Sequence, residues 1–267
     1  FTGWRPGRRR PEGADIRPAP LAPQWNRIAF SLPVQPPLVS VIVPTRDRAD
    51  LIGPCLDGLL TRTEYPSIEV LIVDNETNEP EALRILGEAK RDPRVRLIRD
   101  EREFNYSRLN NLAIAQARGD VVVLLNNDTE VIHPDWLAEL VSLVLQPKIG
   151  IAGAKLLNAE ARIQHAGLVY GPDSALTHQL CLLEDSEGGP EGELALLRQV
   201  SAVTGACLAL RRDLYLELGG LNEEAFRIAY NDIDLCMRVA QRGLAIFRTP
   251  HASLFHSGCE SRGPTNR

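Results

Sequence analysis

The sequence of 267 residues lacks any apolar run near the roughly 20 residues that cross a bilayer as a helix. It also lacks an apolar leader, because its opening residues are rich in proline and arginine. The first residue is Phe1, which leaves room for a longer parent chain. Cysteine is sparse. Cys55, Cys181, Cys207, Cys236 and Cys259 are scattered, and no two stand at Cys-x-x-Cys spacing. This argues against a structural zinc site and against a disulfide framework. Lone thiols in apolar surroundings fit a reducing cytoplasm. An excess of positive charge is missing too. The formal net charge of −5 argues against a protein built to coat nucleic acid, and the Arg8–Arg10 run reads as a solvated tail. No glycine-rich loop follows the first apolar run, which ends in Pro44-Thr-Arg-Asp-Arg48. A triphosphate-cradling nucleotidyltransferase and a dinucleotide oxidoreductase both need such a loop, so both are disfavoured.

What is present is an ordinary globular composition, 44% hydrophobic and 24% charged, in a chain long enough for one large core or two small ones. Residues 1–37 show little periodicity and read as an extended arm or linker, with Trp4, Trp25 and Phe30 available to pin it. From Val39 the pattern changes. Short β-branched runs at 39–43, 68–73, 95–98 and 121–125 predict buried strands. They alternate with helical stretches at 49–60, 79–91, 107–118 and 134–145, the last opened by Pro134. Such alternation predicts an α/β fold, a mostly parallel sheet flanked by helices over residues 38–267. The second half is less regular. Strands are expected at 149–157, 163–170, 200–210, 244–247 and 253–255, helices at 213–218 and 231–242, and a long loop within 171–198 on the acceptor side.

In parallel sheets ligands bind beyond the carboxyl ends of the strands. Those ends carry Pro44-Thr45-Arg46, Asp74-Asn75 and Asn126-Asn127-Asp128. Asn126 and Asp128, two apart on an extended chain, face the same way and suit a hard divalent cation that takes its other ligands from phosphate. Asn and Asp equally suit a plain turn there. Asp74 suits a ribose or base edge, or a local Asx-turn. Asp232 and Asp234 open a helix where carboxylates suit the dipole, and they do not share a helical face, so one can cap while the other faces a cleft. His165 and His256 read as ligands or as packed histidines.

Five segments in order carry a resemblance: Val39-Ser-Val-Ile-Val-Pro-Thr-Arg46, Ile72-Val-Asp-Asn75, Leu124-Leu-Asn-Asn-Asp-Thr-Glu130, Thr204-Gly-Ala-Cys-Leu208 and Asn231-Asp-Ile-Asp-Leu-Cys-Met-Arg238. Together they resemble the family-two inverting glycosyltransferases of the GT-A fold. Phe104-Asn-Tyr-Ser-Arg-Leu-Asn-Asn111, Gln164-His-Ala-Gly167 and Glu260-Ser-Arg-Gly263 resemble the bacterial rhamnosyltransferase-like branch that builds O-antigen and other surface polysaccharides. The resemblance implies a single GT-A domain that moves a sugar from a UDP- or dTDP-sugar to a glycan or lipid-linked acceptor. It implies Mn²⁺ or Mg²⁺ held by Asp128 and His256, with Asp232 as catalytic base. It implies a nucleotide site from Pro44, Thr45, Arg46, Asp74, Asn75, Asn105, Arg108, Asn111, Asn126 and Asn127. Asn126 replaces the first acid of the Asp-x-Asp motif, and Asn231 replaces the Glu of the Glu-Asp pair. These departures keep open a catalytically degenerate domain that binds a nucleotide sugar or glycan. A cytoplasmic location follows, with peripheral contact at the inner membrane face for a lipid-linked acceptor.

Overall fold

The computed structural model describes residues 13–170, 176–178, 180–185 and 188–258. Trp4, Arg8–Arg10, Cys259 and the Glu260–Gly263 motif lie outside them, as does part of the loop expected within 171–198.

Part of the arm is a hairpin, β1 (Ala14–Ala19) against β2 (Ala22–Phe30), instead of an extended linker. The anchors explain why. Trp25 packs with Ala19, Ala22 and Leu196, and Phe30 packs on the main core. These partners are remote in sequence, so no local period announces the hairpin.

The α/β unit begins with β3 (Val39–Thr45), α1 (Ala49–Asp57), β4 (Ile68–Asp74), α2 (Pro80–Ala89), β5 (Val95–Arg99), α3 (Tyr106–Gln116) and β6 (Val121–Leu125). Next come β7 (Thr129–Val131), α4 (Trp136–Val144), β8 (Ile149–Leu157), β9 (Ile163–His165), β10 (Leu168–Tyr170) and β11 (Leu176–His178). The chain ends with β12 (Arg198–Val200), β13 (Cys207–Arg211), α5 (Arg212–Glu217), α6 (Asn231–Gln241) and β14 (Ala245–His256). The main sheet has the order β12-β14-β8-β13-β6-β3-β4-β5, with β7 on β14 and β9 on β8. Six of those eight strands, β5, β4, β3, β6, β8 and β14, share one direction, while β13 and β12 oppose them.

Alternation along the strands builds two cores. Val39, Val41 and Val43 belong to one core with Leu137, Leu140 and Val141 of α4. Ile42 faces the other side, with Leu109 of α3 and Leu235 and Val239 of α6. Two polar residues inside these runs are satisfied in place. The Ser40 hydroxyl donates to Glu69 at 2.6 Å, and Glu69 also accepts from Arg118 N at 2.7 Å.

Several expected elements are divided or joined. The strand expected at 163–170 breaks at Gly167, where φ is +95° and a Cβ would meet Val200 Cγ1 at 2.5 Å. The strand expected at 200–210 is β12 and β13, separated by residues 201–206, which cross the sheet edge. The two late strands are one, β14, with a register irregularity between Arg248 and Ser253. Helix α4 starts at Trp136, so Pro134 lies before its first turn.

Candidate active site

The ends of β3, β4, β6 and β14 meet at one edge, and antiparallel β13 begins there, because Cys207 pairs with Leu125. A cavity of about 580 Å³ opens at this edge. Pro44, Thr45 and Arg46 line it from β3, Asn126 and Asn127 from the end of β6, and Asp232 from the start of α6. These expected site residues are therefore brought together. Asn127 Nδ2 donates to Thr45 Oγ1 at 2.9 Å, which ties the two strand ends.

Asp232 is held by its surroundings. Gly205 N donates to Asp232 Oδ2 at 2.8 Å, and Ile233 N donates to Oδ1 at 2.8 Å. The Gly205 carbonyl accepts from the Tyr106 hydroxyl at 3.0 Å. Burial, then the nearby Asp232 charge, push the Tyr106 phenol up, which keeps it a donor. Asp234 turns away from the cavity and pairs with Arg238 at 2.7 Å. The expected division of labour between the two acids holds in that Asp232 faces the cleft, but Asp234 braces Arg238 and makes no cap. Arg238 in turn donates to Leu218 O and Gly220 O, each at 2.8 Å.

Asp128 and His256 meet at the edge of the same strand cluster. His256 Nε2 lies 3.2 Å from Asp128 Oδ1, and the side chains are 13% and 1% exposed. His256 Nδ1 donates to Gln164 Oε1 at 2.5 Å. In the neutral ring this leaves the Nε2 lone pair toward a carboxylate oxygen, a donor set that a divalent cation satisfies. The described residues hold no group of three or more His, Cys, Asp and Glu that fits a metal, so the remaining ligands would come from substrate oxygens or water.

The other expected nucleotide contacts are placed elsewhere. Asp74 forms the local turn, accepting from Thr77 N at 2.9 Å, and is 2% exposed. Asn75 is buried and donates to Asp100 O and Arg102 O, both at 2.8 Å. Asn105 caps α3 by accepting from Arg108 N, and donates to Glu223 O at 2.9 Å. Arg108 donates to Asp100 at 3.0 Å and to Glu103 O. Asn111 donates to Leu221 O at 2.8 Å and to Glu223. None of the five lines the cavity. Asn105 and Asn111 satisfy carbonyls of the segment that leads into α6, which helps fix where Asp232 stands, whereas Asp74, Asn75 and Arg108 brace the turns after β4 and β5.

Two residues of the site, Tyr106 and Gln164, were left without a role by the sequence, and a third, His165, was left between ligand and packed residue. Tyr106 and Gln164 sit in quoted motifs, but their partners are 99 and 92 residues away. His165 is 2% exposed and its Nε2 accepts from Thr204 N at 3.2 Å, which supports the turn carrying Gly205.

Residues 40–219 match the sequence profile of glycosyl transferase family 2. The chain belongs to that family. It is 44% identical over 228 residues to the uncharacterized protein y4gI of Sinorhizobium fredii, a match that covers 85% of this chain and 25% of that protein. It is 38% identical over 257 residues to the O-antigen biosynthesis protein RfbC of Myxococcus xanthus, covering 95% of this chain and 20% of that protein. The family 2 chain thus spans about a quarter or less of these two relatives. In fold it is similar to the mannosyltransferase PcManGT of Pyrobaculum calidifontis, solved with GDP-Man and Mn²⁺, at a TM-score of 0.64 and 21% identity over 88% of this chain and 61% of that one. It is similar also to GalNAc-T7, solved with UDP, GalNAc and Mn²⁺, at a TM-score of 0.67 and 16% identity over 87% of this chain and 45% of that one. These likenesses establish the GT-A fold.

Proposed function

We propose that this family 2 domain transfers a sugar, with inversion, from a nucleoside-diphosphate donor to a glycan or lipid-linked acceptor in surface-polysaccharide synthesis. The observation that carries the reading is Asp232, oriented by the Gly205 N–H inside the cavity that Thr45, Asn126 and Asn127 also line. In this reading the β3 and β6 strand ends hold the nucleotide. Asp232 takes the proton from the attacking acceptor hydroxyl as general base. Attack from the face opposite the leaving diphosphate inverts the anomeric carbon. Asp128 and His256 would hold a divalent cation, whose positive charge would stabilise the leaving diphosphate. Residues 38–267 form the catalytic unit and residues 1–37 an arm docked on it through its hairpin. The 38% identity to RfbC supports a role in O-antigen or related polysaccharide synthesis. We place the reaction at the cytoplasmic face of a membrane, where a lipid-linked acceptor is presented.

Thermal melting with UDP, dTDP, GDP and ADP, each with and without Mn²⁺, tests the proposal, because a ligand bound only by the folded state raises the midpoint. One nucleotide should give an Mn²⁺-dependent rise that Asp128→Ala abolishes. No rise with any nucleotide overturns it. A rise without any sugar transfer favours the degenerate binding domain, for which Asn126 and Asn231 speak.

A further inference from the structure

We infer that Gln164 is a positioning residue that fixes the His256 tautomer and so makes the Asp128–His256 pair a cation site instead of a closed hydrogen bond. The inference rests on the metal reading above and extends it to a residue that touches neither cation nor substrate.

A neutral histidine beside a carboxylate has two tautomers open to it. With the proton on Nε2, it donates to the carboxylate and the pair is closed to a cation. With the proton on Nδ1, the Nε2 lone pair faces a carboxylate oxygen, and the two repel until a cation lies between them. Gln164 decides between these states. Its Oε1 sits 2.5 Å from His256 Nδ1, and a carbonyl oxygen only accepts, so the proton is held on Nδ1. Nε2 is buried and makes no hydrogen bond among the described residues, while Asp128 Oδ1 stands 3.2 Å away. Metal-binding histidines generally donate their other N–H to such an acceptor, which fixes the ring and raises its basicity.

The amide has room for this orientation beside Gly258. Gly258 has φ +41°, and a Cβ on it would press on Gln164 Nε2 and stand 3.1 Å from His256 Cε1. The absent side chain lets the amide nitrogen lie toward Gly258 and the oxygen toward His256. Three chain segments therefore meet at this point: the end of β9 through Gln164, the end of β14 through His256, and the turn after β6 through Asp128. Ser257 N donates to Asp128 O at 3.0 Å, which locks the last two together.

The test compares wild type, Gln164→Leu and Gln164→Glu by two measurements. The first is binding of Mn²⁺ alone, read from the EPR signal of free Mn²⁺. The second is the imidazole nitrogen spectrum of the metal-free proteins, with the His256 signal identified by its loss in His256→Asn. Wild type should show the Nδ1–H tautomer. Leu should weaken Mn²⁺ binding by about 10- to 100-fold and shift the ring toward Nε2–H. Glu, which also accepts from Nδ1–H, should bind Mn²⁺ at least as well as wild type. An Nε2–H tautomer in wild type, unchanged Mn²⁺ binding in the Leu variant, or equal loss in Leu and Glu variants overturns the inference. Wild type that holds the Nδ1–H tautomer and loses it in the Leu variant, yet takes up no Mn²⁺, upholds the role of Gln164 and overturns the metal reading.

Discussion

Replacing Asp232 by Asn changes one oxygen to an NH₂ and leaves volume intact. The carboxylate now accepts from Gly205 N and from Ile233 N. Asn has one acceptor oxygen, so one of these N–H groups loses its partner. The site is half-buried and opens to the cavity, so the cost in stability falls at the low end of the usual range, about 1 kcal/mol. That corresponds to a fall in melting temperature of about 2–4 °C. Catalysis should suffer far more. A positioned general base contributes about 10²- to 10⁴-fold in rate, which is roughly 3–5 kcal/mol of barrier. Donor affinity should change little, because the nucleotide is assigned to the strand ends across the cavity. The assay is nucleotide release under saturating acceptor, with donor affinity measured separately by calorimetry. A kcat within about tenfold of wild type refutes the base assignment. A large loss of donor affinity with unchanged kcat refutes it equally, since Asp232 would then be a binding residue.

Three further outcomes are expected. Arg27 of the hairpin donates to Glu139 at 3.1 Å, and burial raises the Glu139 carboxyl although Thr249 and Arg27 hold its charge. Arg27→Met should cost about 3 kcal/mol in urea unfolding, and adding Glu139→Gln should recover most of it. Burial opposes the charge of Asp100, but hydrogen bonds from Arg102 and Arg108 overcome it and lower the carboxyl to about 2. The depressed value adds stability that is present above the unfolded value of about 4 and is lost as pH falls toward 2. Asp100→Asn should therefore cost about 2 kcal/mol at pH 7, with the difference from wild type closing toward pH 2. Burial raises the Cys55 and Cys236 thiols to about 12 and pushes Cys207 up as well, while Cys181 is exposed. A thiol reagent at pH 8 should label Cys181 ahead of these three in the folded protein, and Cys181→Ser should remove one fast-reacting thiol.

The parallel half of the sheet was legible because its signals are local. A run such as Val121–Leu125 is buried on both faces and carries its own β-branched pattern, and its polar end follows directly in sequence. The same logic gave Thr45, Asn126 and Asn127 their place at one edge, since strand direction alone puts those ends together, while Asp232 was marked by its family motif at the start of a helix. The family motifs are likewise contiguous strings. They told which residues belong near the site, but not which way each side chain turns.

That choice is made by partners far away in the chain. Asn105, Arg108 and Asn111 look like nucleotide contacts in the sequence. Asn105 and Asn111 pair with the carbonyls of Glu223 and Leu221 in an irregular segment whose polar backbone must be satisfied, and Arg108 pairs with the buried Asp100 carboxylate and with Glu103 O. Residues 200–210 look like one strand until Gly205 is claimed by Tyr106 and Asp232, which pulls the chain off the sheet. The hairpin of residues 14–30 has no readable period because Trp25 and Arg27 are held by Leu196 and Glu139. By itself the sequence determined the strands whose burial is encoded within a few residues, the sheet edge where they end, and the family. Only the tertiary structure decided which polar side chains face the cavity and which hold it open, because hydrogen-bond pairing in a folded interior is settled across the whole chain at once.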